Sequence, residues 1–141
     1  MAMNLHALST TELLDEISER IYRFDFIWYW RRLATFPEPF RVLVLVLFLD
    51  SFGFIKRLLG DDSEAAEAER TAKVSALHSI GAIETAEWLR ALNPVELRKR
   101  KLADIEEEIM NSDGENLYPL VLDYVERHRD ELIGATETAL A

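Results

Sequence analysis

The sequence predicts an all-α protein, a single compact domain of six or seven helices spanning residues 1–141. Apolar residues recur at three- and four-residue steps through most of the chain. Residues that start and stop helices punctuate those stretches. A chain of 141 residues that is 49% hydrophobic suits one core, burying roughly 70% of the surface its unfolded form exposes.

Taken in order, Ser9-Thr10-Thr11-Glu12 has the capping-box form, in which a hydroxyl accepts from the amide three residues on and the glutamate reaches back. After it Leu13, Leu14, Ile17, Ile21, Phe24 and Trp28 fall on one face, which predicts a helix over about residues 10–34. Phe36-Pro37-Glu38-Pro39 stops it, and Pro39 opens the next helix, where a missing amide proton costs nothing in the first turn. Val42–Leu49 alone would suit a buried strand. Its continuation through Phe52, Ile55 and Leu58, with no turn signal before Gly60, favours a helix.

Asp61-Asp62-Ser63 reads as a loop and N-cap, and the helix it opens runs through Ala72, Ala76 and Leu77 to a left-handed C-cap at Gly81. Ile83, Ala86, Leu89 and Leu92 form a short helix that Asn93-Pro94 ends. The next carries Leu102, Ile105 and Ile109 on one stripe, until Asn111-Ser112-Asp113-Gly114 turns the chain. Leu117, Leu120, Val121, Tyr124, Val125 and Leu132 supply the last helix, expected to close at Gly134. Residues 1–8 and 135–141 are expected to be flexible ends.

Charge is the most informative feature. Twenty-six acidic residues face sixteen basic ones, for a net charge of −10, and the excess is concentrated in two runs. The first holds Asp61, Asp62, Glu64, Glu67 and Glu69; the second holds Asp104, Glu106, Glu107, Glu108, Asp113 and Glu115. Like charges this close oppose folding, so the runs are either solvated cheaply or used to attract a basic partner. Part of the first run suits the positive end of the helix dipole. The second does not, because Arg98, Lys99, Arg100 and Lys101 precede the acids on a helix expected from Asn93 to Met110, against the macrodipole. Pairing with Arg127, Arg129 or other bases is one explanation, and a surface shaped for a partner is the other. On the second, the partner-binding residues are Asp61, Asp62, Glu64, Glu67, Asp104, Glu106, Glu107, Glu108, Asp113 and Glu115. Carboxylates three or four residues apart on a helix, such as Glu64 with Glu67 or Asp104 with Glu108, stand about 4.5 to 6 Å apart along its axis, on the scale of nucleic-acid backbone charges.

Catalytic signatures are sparse. There is no cysteine, which removes disulfides, thiolate nucleophiles and thiolate metal sites. His6, His78 and His128 lie in separate segments without a zinc-protease or di-iron spacing, and His78 and His128 read as packed or helix-end residues. Ser75 and Ser79 lack a nucleophile-elbow context, and the glycines are isolated, so no phosphate-cradling loop is present. No catalytic residue, metal ligand or cofactor is therefore expected. The longest apolar run has eight residues, too few for a membrane span, and Met1–Leu8 lacks the features of a signal peptide, so the expected location is cytoplasmic. Phe24, Phe26, Trp28, Tyr29 and Trp30, followed by Arg31 and Arg32, would suit base stacking or a membrane surface, but the net charge repels phosphates and anionic lipids. The helical stripe assigns half of these rings to the core. Phe26, Tyr29 or Trp30, facing outward, would serve a dimer contact.

Several segments together carry a family resemblance. Val42–Asp50 is an apolar helix leading to Gly53-Phe54, then Ala76-Leu77-His78-Ser79-Ile80-Gly81-Ala82 with Ala86 and Leu89, then Leu102–Ile109 and Leu117–Val125. This order resembles a small bacterial family, a domain of unknown function that includes an acidic DNA-mimic protein, over roughly residues 10–132. The family's Asn-Gly-Gly-Phe element is kept only in its last half, at Gly53-Phe54. The resemblance implies an all-helical dimer whose carboxylates imitate phosphates in a transcription factor's DNA site. The expected function is thus a non-enzymatic acidic protein that binds a basic protein, most concretely a DNA-binding protein, with no direct contact to nucleic acid or membrane. The alternatives are an immunity-type inhibitor of a toxin enzyme and, third, a small hydrolase built around His78.

Overall fold

The computed structural model describes residues 3–49, 63–91 and 116–140. Seven α-helices lie among them, and they form one all-α fold as expected. They are α1 (Thr10–Ile21), α2 (Phe26–Arg32), α3 (Glu38–Leu47), α4 (Ser63–Ser79), α5 (Ile83–Ala91), α6 (Leu117–Arg127) and α7 (Arg129–Ala139). The expected continuation of α3 through Phe52, Ile55 and Leu58, and the helix from Asn93 to Met110, lie outside the described residues.

α1 begins as its capping box requires: the Ser9 hydroxyl accepts from the Glu12 amide at 3.2 Å, and the Ser9 amide donates to Glu12 Oε1 at 3.0 Å. Its stripe Leu13, Leu14, Ile17 and Ile21 is buried, each side chain stabilising the fold by about 1.5 to 3 kcal/mol. The helix expected over residues 10–34 is not continuous, however. It stops at Ile21 and restarts at Phe26, because the Asp25 carboxylate caps the new helix by accepting from the Trp28 amide at 2.9 Å. The Tyr29 hydroxyl then donates to the Ile21 carbonyl at 2.6 Å, which also accepts from the Phe24 amide at 3.3 Å, so both bonds serve one of the last carbonyls of α1. The bend changes which rings are inside. Phe26 and Tyr29, a dimer contact only had they faced outward, are buried, while Phe24, expected in the core, is 41% exposed and stacks on half-buried Trp28. The outward apolar side chains of this hairpin are Phe24 and Ile27.

α3 is the centre of the molecule. Pro39 sits in its first turn, and Phe40 and Val42 through Val46 are all buried, as befits a helix apolar around its whole circumference. α4 packs against both α3 and α5, and α7 packs on the other helices through α3. α4 ends at Gly81 (φ +85°), where the Ala82 amide donates to the Leu77 carbonyl and the Gly81 amide to His78. This is the paired arrangement of a glycine C-cap, and the positive φ is what calls for glycine there.

The C-terminal half departs from expectation in one respect. The last helix does not run from Leu117 to close at Gly134: it breaks at His128 (φ −117°, ψ 26°), and α7 continues through Gly134 to Ala139. Residues 135–140 are therefore not a frayed tail, since Ala135, Thr136 and Leu140 are buried. The opposite end is tied down too. Leu5 is buried in a 3-10 turn, and the Arg129 guanidinium donates to the His6 and Leu8 carbonyls, so the expected flexible end over residues 1–8 is corrected for residues 5–8. Apolar surface at Leu5, Ala135 and Leu140 outweighs chain-end entropy in both places.

Candidate functional site

Of the ten carboxylates singled out in the two acidic runs, Asp61, Asp62, Asp104, Glu106, Glu107, Glu108, Asp113 and Glu115 lie outside the described residues, and for Glu64 only the backbone position, in the first turn of α4, is described. Glu67 is described, half-buried and paired with Arg70 three residues on. Its neighbour in the run, Glu69, is only 1% exposed. Its carboxylate receives Lys73 Nζ at 2.9 Å, and the same ammonium donates to the Leu49 carbonyl at 3.2 Å and lies 4.8 Å from the Phe26 ring centre. Where it is described, then, the first run is met by the chain's own bases, and Glu69 belongs to the core. An ion pair so enclosed persists only with its lone pairs and protons satisfied, which the Leu49 carbonyl and the ring face help to do.

Exposed negative charge instead gathers where α1 lies beside α6. The two helices are antiparallel: the Thr10 hydroxyl at the start of α1 donates to Glu126 at the end of α6, and residues near the end of α1 share a cleft with the start of α6. That cleft, about 520 Å³, has an apolar floor that includes Leu14, Val46 and Val121. Asp15, Tyr22 and Tyr118 stand on its rim, and both tyrosines are half-exposed. The Tyr22 hydroxyl donates to the Leu47 carbonyl at 3.0 Å, and its ring meets Phe48 edge-on, so burial of its inner side pushes the phenol's pKa up. Asp15 and Glu19 are exposed, one turn apart on α1, and form no ion pair among the described residues. Glu12 is held by Ser9, whose backbone and side chain lower its pKa, and Glu16 is engaged by Arg20 at 2.9 Å. On α6, Asp123 pairs with Arg127.

Asp15 and Glu19 were not singled out from the sequence because they do not form a run. They alternate with the buried Leu14 and Ile17, and the signal for them was the complement of the α1 stripe: whatever lies opposite Leu13, Ile17 and Ile21 must face water.

The histidines sit at helix ends and junctions. His78, in the last turn of α4, places Nε2 3.3 Å from Glu87 Oε1, and Arg90 binds the same carboxylate and lowers its pKa. The His128 ring lies against that of Tyr124, tilted by 42° with 4.4 Å between ring centres, where α6 meets α7. His78 lines neither the α1–α6 cleft nor a second groove, of about 650 Å³, between α2 and α7. Among the described residues no group of three or more histidine or acidic side chains is gathered to hold a metal, and no helix is long and apolar enough to cross a membrane. No family model, curated protein or solved structure matches the chain.

Proposed function

We propose that this is a non-enzymatic acidic binding protein whose ligand is a basic protein, most concretely a DNA-binding protein whose DNA site it occupies. One observation carries the reading: a cleft with an apolar floor and a tyrosine rim on which Asp15 stands, with Glu19 exposed one turn further along α1 and neither carboxylate in an ion pair among the described residues, in a chain of net charge −10. The carboxylates steer a cationic partner and release its counter-ions, while the tyrosines and the floor anchor it.

Capture from lysate on the immobilised chain, at low salt, tests this reading. Basic nucleic-acid-binding proteins are expected on the resin, released by added duplex DNA and by raised ionic strength. Capture of none overturns the proposal.

The exposed tyrosine rim also favours a second reading, an immunity-type inhibitor that plugs a toxin enzyme. A partner held by aromatic anchors would stay bound when salt is raised and when DNA is added. The same experiment separates the two.

A further inference from the structure

The groove between α2 and α7 has a different composition from the α1–α6 cleft. Glu131, Gly134, Ala135 and Thr138 form one face of α7, and Trp28 and Pro37 stand across from it, around about 650 Å³ of open volume. That is within the size range of sites for small organic ligands.

Its two ends differ in charge. Asp130 and Glu131 open α7 with highly exposed carboxylates. Glu131 also acts on the buried Tyr124 phenol, as does Glu38, which does not line the groove; burial chiefly pushes that phenol up to about 12. The Tyr124 hydroxyl makes no hydrogen bond among the described residues. Bases near this end hold the carboxylates loosely: His6 Nδ1 is 3.8 Å from Asp130, and His128 Nδ1 is 3.7 Å from Glu131, both beyond the length of a charge-assisted hydrogen bond. At the other end the Arg32 guanidinium lies over the Trp28 ring at 4.3 Å and donates to the Trp28 carbonyl, so it is already engaged.

Gly134 keeps the middle of the groove open. It lies inside α7, where glycine is the poorest helix former after proline, and a Cβ added there would meet nothing within 4 Å. The space above it is therefore accessible rather than filled by a neighbour.

We infer that this groove binds a small organic cation, an ammonium or guanidinium head on an apolar body, with the head between Asp130 and Glu131 and the body against Trp28, Pro37 and Ala135. The carboxylates supply the attraction and the aromatic and aliphatic walls supply the contact area, so neither a simple metal ion nor an anion of the same shape satisfies both ends. This inference does not rest on the polyanion reading, and failure to capture a basic protein leaves it standing.

The test is an NMR titration of the isotopically labelled full chain with 2-phenylethylamine as the cation and 3-phenylpropionate as an anion with the same ring. Saturating shifts are expected at the amides of Gly134 and Ala135 and at the Trp28 indole with the amine, and none with the acid. Glu131→Gln should weaken the amine severalfold. Gly134→Leu, which fills the open space and improves helix propensity, should abolish its binding while leaving the rest of the spectrum in place. If Gly134→Leu loses its spectral dispersion, Thr138→Met on the same face serves as the blocking variant. The inference is overturned if the amine produces no saturating shifts, if the acid shifts the same signals equally, or if a folded blocking variant binds the amine like the parent chain.

Discussion

α4 and α1 each present carboxylates, and the two helices use them in opposite ways. On α4, Glu67 and Glu69 stand two residues apart in a stretch that holds carboxylates and no basic residue, which on a helix turns them about 200° from one another. Glu69 accordingly points into the core onto Lys73, while Glu67 stays near the surface with Arg70. On α1, Asp15 and Glu19 have only Glu16, Ile17 and Ser18 between them, and four-residue spacing puts them on one exposed face without a basic partner among the described residues, while Ile17 is buried and Glu16 is taken by Arg20. A run of like charge is therefore not a patch of like charge. Helical period decides which carboxylates water sees, and the field a partner meets follows from the period rather than from the density of acids along the chain.

The sharpest way to break this comparison is to remove one member of the α4 pair. Lys73→Met takes the ammonium away from Glu69, a carboxylate only 1% exposed, and the expected cost is about 3 to 5 kcal/mol in urea unfolding. Glu69→Leu should cost as much for the converse reason. The double variant Glu69→Leu/Lys73→Met is expected to recover most of the loss, since an apolar pair of similar volume is often as stable as the ion pair it replaces. Glu67→Gln, on the same helix, should shift stability by less than about 1 kcal/mol. Equal effects of Glu67→Gln and Lys73→Met would erase the distinction drawn here between the two carboxylates.

A smaller effect is expected at the bend between α1 and α2. Tyr29→Phe removes the hydroxyl that serves the Ile21 carbonyl, which keeps its bond from the Phe24 amide, at a cost of about 0.5 to 1.5 kcal/mol. Burial holds the Tyr29 phenol protonated up to about 12. A tyrosine whose folded pKa is raised contributes stability that is complete below its ordinary value of 10 and lost as pH rises through the folded one. Part of the alkaline destabilisation should therefore disappear in Tyr29→Phe, which unfolding curves between pH 9 and about 12 would show.

How much of this was legible in the sequence depends on whether a signal is local. The capping box at Ser9, proline in the first turn of α3 and the glycine C-cap at Gly81 were readable because each is fixed by a few adjacent residues. The breaks at Tyr22–Asp25 and His128 were not. In both places the apolar steps continue across the break, and what interrupts the helix is a contact: Asp25 onto the Trp28 amide with Tyr29 onto Ile21 in one case, and the packing of Tyr124 on His128 in the other. The α1–α6 cleft and the α2–α7 groove were illegible for the same reason, since each is formed by side chains a hundred residues or so apart in the chain. Gly134, read as a helix terminator, is interior to α7, because Leu132, Ile133, Ala135 and Thr136 give that helix a buried face on both sides of it.

On α1 a further carboxylate, Glu12, is structural, and pH separates its role from that of the exposed pair. Glu12 is held below its ordinary value of 4.5, chiefly by the Ser9 amide and then by the Ser9 hydroxyl. A carboxyl with a depressed folded pKa stabilises above its unfolded value, and that contribution is lost as pH falls through the folded one. Glu12→Gln should thus be less stable than the parent chain at neutral pH and converge with it below about pH 4. Ser9→Ala should cost about 1 kcal/mol for the lost cap.

The smallest expected effect on folding belongs to the residues given the largest role in binding. Asp15→Asn combined with Glu19→Gln removes two exposed charges with no ion pair among the described residues, so thermal stability should stay within about 0.5 kcal/mol of the parent or rise as self-repulsion falls. Capture of a basic partner should weaken, and its dependence on ionic strength should become shallower, because fewer counter-ions are exchanged at the interface. Tyr22→Ala and Tyr118→Ala should reduce the same capture without changing that slope, since they remove contact area rather than charge. A charge-neutral variant that binds with the parent's full salt dependence would move the binding face off α1. The carboxylates from Asp104 to Glu108 would then be the place to repeat the measurement.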